Sequence, residues 1–433
     1  MKLYSLKDSS QEVTFLKAVE LGLCKKQGLF FPKKLPFFKK NEIKKILKMN
    51  FFKKSYKILN AFIGKEIPKK KLYKIVKKSF SKTIPKIKKI QKNISCLELF
   101  HGPTFAFKDF GARFMSQIIF YMNKINKKKI TILTATSGDT GAAVAHAFYK
   151  MKNIKIVILY PKGKISDIQE KMLCNLGKNI KTISVNGSFD ECQKLVKTAF
   201  NDSYLKKKIS LNSGNSINIS RLLAQICYYF EAFSLINKRN RKKIIISVPC
   251  GNFGNITAGL IAKSIGLPIK KFIISTNSND TVPRFLKNKK WEPRNTISTI
   301  SNAMDISVPN NWDRIEELFK QNKWNINDSN YLNYDSVSEK NTKKSLKELH
   351  KLKYISEPHA SVAYTVLKKK IKDKEYGLFL GTAHPIKFKN TIEEVLKINI
   401  KVPEKIKKYK KNKLFTYSIN PEFSILKKIL MEK

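Results

Sequence analysis

Lys108 is a lysine in surroundings that the rest of the chain does not lead one to expect. Lysine and arginine together make up 87 of the 433 residues, yet Lys108 is the only lysine between Lys92 and Lys124. The segment Phe105–Phe110 around it consists mostly of phenylalanine and alanine. Apolar surroundings lower the pKa of an ammonium group because they disfavour its charged form. The pattern indicates a neutral amine of the kind that forms imines with carbonyl compounds, and an ordinary surface lysine is the alternative.

Two glycine turns follow predicted strands and precede predicted helices. They lie in the segments Thr134–Ala143 (TATSGDTGAA) and Ser247–Gly259 (SVPCGNFGNITAG), neither of which contains lysine. In each, a G-x-x-G spacing brings backbone N–H groups together at the start of a helix, where they can bind an anion. The spacing differs from that of dinucleotide-binding and P-loop motifs. We therefore expect anion sites at both turns, and helix packing is the alternative explanation of the glycines.

A polar cluster precedes a long apolar helix that we predict at residues 219–235. It consists of Asn215, Ser216, Asn218 and Arg221 in the segment NSGNSINISR. A guanidinium beside hydroxyl and amide groups is suited to binding a phosphate ester. Taken alone, however, the cluster is better explained by a helix N-cap at Ser216 or Asn218 and a structural ion pair of Arg221.

The formal net charge of +55 is the strongest compositional feature of the chain. A nucleic-acid-binding protein concentrates its basic residues in a patch, often with arginine for bidentate contacts. Here lysine is spread over nearly the whole chain and arginine is rare. This pattern indicates mutational drift toward A/T-rich codons, not selection for a basic surface. We therefore predict no specific nucleic-acid partner. Windows without lysine are expected to mark the buried interior and the functional site.

Neither a membrane segment nor a metal or disulfide framework is visible in the sequence. No window approaches about 18 uncharged apolar residues, so we predict no membrane span. The first residues lack the apolar core of a signal peptide. The six cysteines lie far apart, without a C-x-x-C or a Cys–His cluster. This spacing argues against zinc, other metal sites and disulfides, and it favours the cytoplasm.

Strands and helices alternate along the chain from residue 129 onward. Runs of β-branched residues predict strands at 129–136, 154–160, 180–185, 243–248 and 272–276, with helices between them. Such alternation is typical of a parallel sheet covered by helices. The sequence therefore predicts an α/β protein.

Eight motifs occur in the order in which threonine synthases carry theirs. They are FHGPTFAFKDFG, TSGDTGAAVAHAF, NSGNSINISRLLAQ, VPCGNFGN, NDTVPRFL, SNAMDISVPNNW, SEPHASVAY and LFLGTAHPIKF. The chain resembles the threonine synthase family, in its long bacterial form, from its first residue to about residue 400. The resemblance implies an α/β fold of the fold-type II pyridoxal-phosphate enzymes. In that architecture two parallel-sheet domains hold the site between them, and a mostly helical N-terminal region is added.

Together with the residue patterns, the resemblance implies four regions. Residues 1–95 are expected to form the helical N-terminal region. Residues 96–128 and 205–400 are expected to form a large cofactor-binding domain, and residues 129–204 a small α/β domain. Residues 401–433 are expected to be a helical tail.

The resemblance also implies an activity, which is that of a lyase dependent on pyridoxal 5′-phosphate. Such an enzyme converts O-phospho-L-homoserine and water to L-threonine and phosphate, by elimination of the γ-phosphate and addition of water at the β-carbon. Its partner is then a small anionic substrate, and no membrane or specific nucleic acid is involved.

The motifs that carry the resemblance assign roles to individual residues. Lys108 is implied to carry the cofactor as a Schiff base and then to act as a general base. The implied cofactor-binding residues are Gly251, Asn252, Phe253, Gly254 and Asn255 around the cofactor's phosphate, and Thr382 beside its pyridine nitrogen. The implied substrate-binding residues are Ser137, Gly138, Asp139 and Thr140 for the carboxylate, and Asn215, Ser216 and Arg221 for the phosphate.

Two alternative functions remain at this stage. One is a phospholyase on the same scaffold, which would release a 2-oxo acid and ammonia. Sequence separates it poorly from threonine formation, because the two differ in whether water is delivered to the β-carbon. The other is a basic nucleic-acid-binding protein with a decayed active site, and the presence of Lys108, both glycine turns and Thr382 argues against it.

Overall fold

The computed structural model describes residues 1–24, 28–410 and 414–432. In these ranges the chain forms three β-sheets and the helices that cover them. The strands are β1 (Leu3–Ser5), β2 (Asp8–Val13), β3 (Phe30–Pro32), β4 (Lys86–Lys89), β5 (Ile94–Glu98), β6 (Ile130–Ala135), β7 (Ile154–Pro161), β8 (Ile180–Val185), β9 (Ser210–Ser213), β10 (Ile244–Pro249), β11 (Lys271–Thr276), β12 (Leu332–Ser336), β13 (Tyr376–Gly381) and β14 (Thr416–Ile419). The α-helices are α1 (Phe15–Leu21), α2 (Lys40–Lys48), α3 (Phe51–Ile63), α4 (Lys69–Phe80), α5 (Lys108–Asn126), α6 (Asp139–Phe148), α7 (Asp167–Cys174), α8 (Phe189–Asn201), α9 (Ser203–Lys208), α10 (Ile219–Leu235), α11 (Gly254–Ser264), α12 (Thr281–Asn288), α13 (Trp312–Asn322), α14 (Glu339–Lys351), α15 (Pro358–Lys370), α16 (Lys389–Leu396), α17 (Glu404–Lys410) and α18 (Phe423–Met431).

Six strands form the largest sheet, in the order β12-β11-β10-β13-β5-β4. Neighbouring strands are parallel except β4 and β5, which are antiparallel. Parallel pairing requires the chain to return to the same end of the sheet before each strand. The helices between the strands make these returns, and α15 packs directly on β10, β11 and β13.

A second sheet contains five parallel strands in the order β14-β8-β7-β6-β9. Two of its strands lie outside residues 129–204, the range predicted for the small domain. β9 belongs to this sheet, although residues from 205 onward are predicted to lie in the large domain. β14 lies in the tail that is predicted to be helical, between α17 and α18. A strand of four residues is too short for its alternation to be recognised in the sequence.

The N-terminal region contains more helix than strand, as predicted, together with a small sheet. Besides α1, α2, α3 and α4 it contains an antiparallel sheet in the order β2-β1-β3. In addition, β4 and the first residues of β5 fall within residues 1–95 but pair in the six-stranded sheet. The prediction of a mostly helical N-terminal region is therefore confirmed, although the region also contains short strands.

The predicted strand–helix alternation between residues 129 and 276 is confirmed. β6, β7, β8, β10 and β11 begin and end within one residue of the predicted strands. These strands are buried on both faces for most of their length. Double-sided burial explains why they appear in the sequence as continuous runs of β-branched residues.

The two longest described helices, α5 and α10, pack closely against each other. Gly111 permits this approach, because a Cβ added there would lie 3.0 Å from the carbonyl oxygen of Arg221. The packing places the first turn of α5, which begins at Lys108, beside the first turn of α10, which contains Arg221. Neither these helices nor the others in the described ranges have the length and apolar character needed to cross a membrane.

Candidate active site

A cavity lies where the carboxyl ends of strands from the two larger sheets meet, the usual place for a site in parallel α/β folds. Its walls come from the start of α5 and from the segments that follow β6, β9, β10 and β13. The lining residues are Phe107, Lys108, Gly111, Asp139, Ser216, Arg221, Gln225, Pro249, Gly251, Asn252, Phe253, Gly254, Asn255, Ala303, Met304, His359 and Thr382.

Most of the residues singled out in the sequence line this one cavity. They are Lys108, Asp139, Ser216, Arg221, Gly251, Asn252, Phe253, Gly254, Asn255 and Thr382. Four others, Ser137, Gly138, Thr140 and Asn215, are not among the lining residues. Residues separated by more than 270 positions in the chain are thus brought together, because the strands that precede them end at the same edge.

Lys108 is the first residue of α5, and its ammonium nitrogen lies 4.7 Å from the centroid of the Phe107 ring. Burial, and next the positive charge of Arg221, lower the pKa of Lys108 to about 8. Both causes act in the same direction. Burial disfavours the charged form of the amine, and the charge of Arg221 repels a second cation. The apolar surroundings expected from the sequence therefore act on this amine as predicted.

The second glycine turn ends in a helix N-terminus beside the cavity. α11 begins at Gly254, and its N-cap residue Phe253 has a left-handed backbone (φ 58°) and no capping side-chain hydrogen bond. Uncapped N–H groups at the first turn can bind an anion. In the described part of the chain, the buried Nδ2 of Asn255 also lacks a hydrogen-bond partner. Gly251 is needed for packing, because an added Cβ would lie 2.7 Å from the Cα of Met304.

Arg221 is a buried cation that lines the same cavity, with only 1% of its surface exposed. Its Nη1 donates a hydrogen bond to the carbonyl oxygen of Gly214, 2.5 Å away. Its Nε is buried and has no partner among the residues that the structure describes. Burial lowers the pKa of Arg221 to about 10, so the group stays charged at neutral pH. Among the described residues Arg221 therefore has no carboxylate partner, unlike the structural ion pair that the local sequence favours.

Thr382 follows β13 and is tied to a carboxylate that the sequence analysis assigns no role. Its Oγ1 donates to Oε1 of Glu357 over 3.0 Å, so the oxygen lone pairs remain available to accept a hydrogen bond. Glu357 is 1% exposed and caps α15 by accepting from the N–H groups of His359 and Ala360. The Nδ1 of His359 lies 2.5 Å from Oε2 of Glu357. Burial would lower the pKa of His359, but Glu357 raises it above its ordinary value.

Glu357 and His359 are the main residues that the sequence analysis missed. Both lie in the motif SEPHASVAY, and His359 lines the cavity. A glutamate directly before Pro358, at the start of a helix whose residues 358–367 contain no lysine, is a recognisable N-cap signal. That signal could have placed a buried carboxylate here, but it could not have shown that Thr382 would lie beside it.

The first glycine turn contributes mainly through Asp139. Its carboxylate lines the cavity and accepts hydrogen bonds from Lys387 Nζ at 2.6 Å and Gln169 Nε2 at 3.0 Å. Gly138 has a φ of 124°, which strongly favours glycine, and it precedes α6 without a capping side chain. The N–H groups of Gly138 and Gly141 donate to the hydroxyl oxygen of Thr136. Part of this turn is thus occupied by its own hydrogen bonds.

Asn215 lies in an adjoining cleft, not in the cavity that contains Lys108. That cleft is lined in part by Phe200, Trp291 and Trp312. The Asn215 side chain donates to the carbonyl oxygen of Ala135 at 2.9 Å and accepts from the hydroxyl of Thr134 at 2.7 Å. The cleft and the cavity adjoin through the short segment that also carries Ser216.

Comparison with known proteins shows which group these features belong to. A family model described as "Pyridoxal-phosphate dependent enzyme" matches residues 83–379, and one described as "Threonine synthase N terminus" matches residues 2–80. The chain is 64% identical over 433 residues to threonine synthase of Buchnera aphidicola subsp. Baizongia pistaciae, with full coverage of both chains. The chain belongs to the threonine synthase family. It is therefore a pyridoxal-phosphate-dependent enzyme of fold type II, as the motifs imply.

Solved structures of the threonine synthase family have the same fold. The crystal structure of threonine synthase from Escherichia coli has a TM-score of 0.96 and 52% identity, with 100% of this chain and 99% of that chain covered. A structure of PLP-bound threonine synthase from Brucella melitensis has a TM-score of 0.90 and 29% identity, covering 99% and 98% of the two chains. The resemblance read from the motifs is thus confirmed over the whole chain.

The cavity of this family member fits pyridoxal phosphate by the chemistry of its walls. Lys108 supplies an amine of lowered pKa for the cofactor's aldehyde. The uncapped start of α11 and the unpartnered Nδ2 of Asn255 supply donors for an anionic and polar ligand. Thr382 offers oxygen lone pairs. In the described part of the chain, Nδ2 of Asn255 is thus a buried donor that such a cofactor would satisfy.

Proposed function

We propose that this protein converts O-phospho-L-homoserine and water to L-threonine and phosphate with pyridoxal phosphate as cofactor. One observation carries the proposal: a lysine of lowered pKa shares a single cavity with two separate groups of anion-binding donors. One group is the start of α11, and the other contains Ser216 and Arg221. A substrate and a cofactor that each bear a phosphate need two such places.

The cofactor is held by Lys108 through its aldehyde and by residues Gly251–Asn255 through its phosphate, with Thr382 beside its ring nitrogen. The uncapped N-terminus of α11 supports the second role, because helix N–H groups and the helix dipole favour a phosphate there. When bound, pyridoxal phosphate withdraws electrons from the substrate's carbon chain, so that protons leave carbon and the γ-phosphate departs.

Lys108 also acts as the general base that removes protons from the carbon atoms of the substrate. Once free of the cofactor, the amine of Lys108 would remove a proton from the α-carbon of the substrate, give that proton up again, and only then remove a second proton from the β-carbon. A pKa of about 8 suits this role, because the amine can accept and return a proton near neutral pH. Burial of the amine is the main cause of this lowered pKa, because it disfavours the charged form.

The substrate's phosphate is bound by Ser216 and Arg221, whose guanidinium is buried and has an unpartnered Nε. Asn215 acts indirectly here, because its amide fixes the segment before Ser216 to the end of β6. The substrate's carboxylate is bound at residues 137–140 by backbone N–H groups at the uncapped start of α6, apart from that of Gly138, which donates to Thr136. The carboxylate of Asp139 itself is engaged with Lys387 and does not bind another anion.

Two measurements test this proposal. The purified protein is expected to show the visible absorption of bound cofactor and to release phosphate from phosphohomoserine. Product analysis then decides between threonine and the 2-oxo acid of a phospholyase, because only threonine formation requires water at the β-carbon. Release of a 2-oxo acid and ammonia in place of threonine would contradict the proposal.

We further propose a cytoplasmic location, which the six unpaired, buried cysteines support.

A further inference from the structure

Arg314 is a completely buried guanidinium outside the groups discussed so far. Its described hydrogen bonds all go to uncharged oxygens. Nε and Nη2 donate to the carbonyl oxygen of Phe30, at 3.2 and 3.0 Å, and Nη2 also donates to that of Ile217 at 2.7 Å. Nη1 donates to the carbonyl oxygen of Ser216 at 3.4 Å and to Oδ1 of Asn311 at 2.8 Å. Burying a charge without a carboxylate partner is costly, so such a residue indicates a role beyond packing.

Arg314 fixes the orientation of the Asn311 amide. A guanidinium can only donate hydrogen bonds, so Asn311 has to turn its oxygen toward Arg314 and its NH₂ group away. That Nδ2 donates to the carbonyl oxygen of Asn252 at 2.8 Å and lies 3.5 Å from the Oγ of Ser216. The direction of this chain of hydrogen bonds is therefore set at Arg314.

This series of hydrogen bonds ends at the hydroxyl of Ser216, which lines the cavity. Its oxygen accepts from Nδ2 of Asn252 at 2.9 Å and, more weakly, from Nδ2 of Asn311. Among the described hydrogen bonds, none has this hydroxyl as the donor. With its oxygen already occupied by two N–H donors, Ser216 has its proton left to give, and an anion in the cavity is the acceptor that fits.

We propose that Arg314 is a positioning residue for a phosphate group bound beside Ser216. It acts in two ways: it orients Asn311 so that Ser216 becomes a hydrogen-bond donor, and it holds the Ser216 and Ile217 carbonyls away from the cavity. The proposal rests on the proposed function, in which the substrate's phosphate occupies this place. It also gives the N-terminal sheet a part in the site, because the carbonyl oxygen of Phe30 in β3 accepts hydrogen bonds from the same guanidinium.

Binding of inorganic phosphate to the cofactor-loaded enzyme, measured by titration calorimetry, tests this role without requiring turnover. The variants are Arg314→Met, Ser216→Ala and the two combined. We expect each single change to raise the Kd for phosphate about tenfold, the loss typical of one hydrogen bond to a charged group. If Arg314 acts through Ser216, the combined variant should bind little worse than either single one. The visible absorption of bound cofactor is expected to persist in all three.

Lys54→Met is the matched control. Lys54 is also a buried cation, 1% exposed and paired with Glu231 at 2.5 Å, but it does not line the cavity. The substitution Lys54→Met should lower the melting temperature and leave the Kd for phosphate within about twofold of the wild-type value. If Arg314→Met behaves in the same way, or if its effect simply adds to that of Ser216→Ala, Arg314 is structural only and the proposal fails.

Arg314→Lys provides the test if Arg314→Met does not fold. A lysine keeps the charge but cannot reach Asn311 and the carbonyls of Phe30 and Ile217 at once, so phosphate binding should still weaken several-fold. Unchanged binding in Arg314→Lys, or no phosphate binding by the wild-type holoenzyme, would overturn the proposal. Failure to form threonine while the phosphate results hold would instead refute the proposed function alone.

Discussion

Asp139 and Lys387 form a buried ion pair that connects the two larger sheets, with 2.6 Å between Oδ1 and Nζ. Asp139 begins α6 directly after β6, whereas Lys387 lies in a short turn after β13. The side chain of Lys387 is completely buried, and that of Asp139 is 6% exposed. Because Asp139 lines the cavity, the pair fixes one wall of the site relative to the other.

Replacement of Lys387 by methionine should destabilise the protein strongly. The change leaves the Asp139 carboxylate buried without its cation, and we expect the free energy of unfolding at pH 7 to fall by about 3–5 kcal/mol. Urea unfolding followed by circular dichroism measures this. The combined variant Asp139→Asn with Lys387→Met should recover much of the loss, and a combined variant as unstable as the single one would contradict the assigned pairing.

The loss of stability in Lys387→Met should depend on pH in a defined direction. In the wild-type protein burial would raise the pKa of Asp139, but Lys387 lowers it below its ordinary value. The pair therefore stabilises the fold above about pH 4 and less as the pH falls below that. Without Lys387, burial raises this pKa, so the carboxyl group is protonated at mildly acidic pH. The difference in stability between the two proteins should shrink between pH 7 and 5.

Lys108→Ala should abolish the visible absorption that the cofactor shows when it is joined to the protein. The amine at this position is the proposed attachment point, and the described cavity wall has no second lysine. A spectrum of the purified variant with added pyridoxal phosphate tests this, and circular dichroism checks that the fold is kept. A visible band of wild-type intensity in the folded variant would show that another amine is used.

The rate at which cofactor recombines with cofactor-free protein should follow the lowered pKa of Lys108. A pKa of about 8 leaves roughly one amine in ten neutral at pH 7, whereas an ordinary lysine would leave fewer than one in a thousand. The rate should therefore rise between pH 6.5 and 8 and level off above that. Stopped-flow absorbance measures it, and a rate that still rises tenfold per pH unit above pH 9 would refute the lowered pKa.

Arg221→Ala should weaken substrate binding much more than cofactor binding. The guanidinium is buried with an unpartnered Nε, so it is available to the substrate's phosphate. We expect the KM for phosphohomoserine to rise at least tenfold, corresponding to the loss of a hydrogen bond between charged groups. Fluorescence titration with pyridoxal phosphate should give a Kd within a few-fold of the wild-type value. Equal losses for both ligands would favour a structural role.

The sequence predicts the parts of the site that stand out from a lysine-rich background. Lys108 and the turn before α11 are recognisable because lysine is absent around them, and burial is the physical reason for that absence. Lys387 is invisible for the opposite reason: it is one lysine among very many, and only its contact with Asp139 makes it distinctive. Glu357 likewise acquires its role from Thr382, which lies 25 positions away.

The fold is predictable where elements are long and buried, and less so where they are short. β6, β7 and β8 carry enough β-branched residues for their bounds to be read directly. β1 and β3 have three residues each, and their pairing depends on contacts that no local pattern encodes. β14 pairs with β8, which lies more than 200 residues earlier in the chain.

The place of β14 has a consequence for how the chain is made. The ribosome synthesises from the N-terminus, so β6, β7, β8 and β9 leave it long before Thr416–Ile419 is added. Until then β8 presents an unpaired edge, which can recruit strands from other nascent chains. The emergence of Thr416–Ile419, and not merely that of residues 130–213, is therefore the moment at which this protein becomes safe from aggregation at that edge.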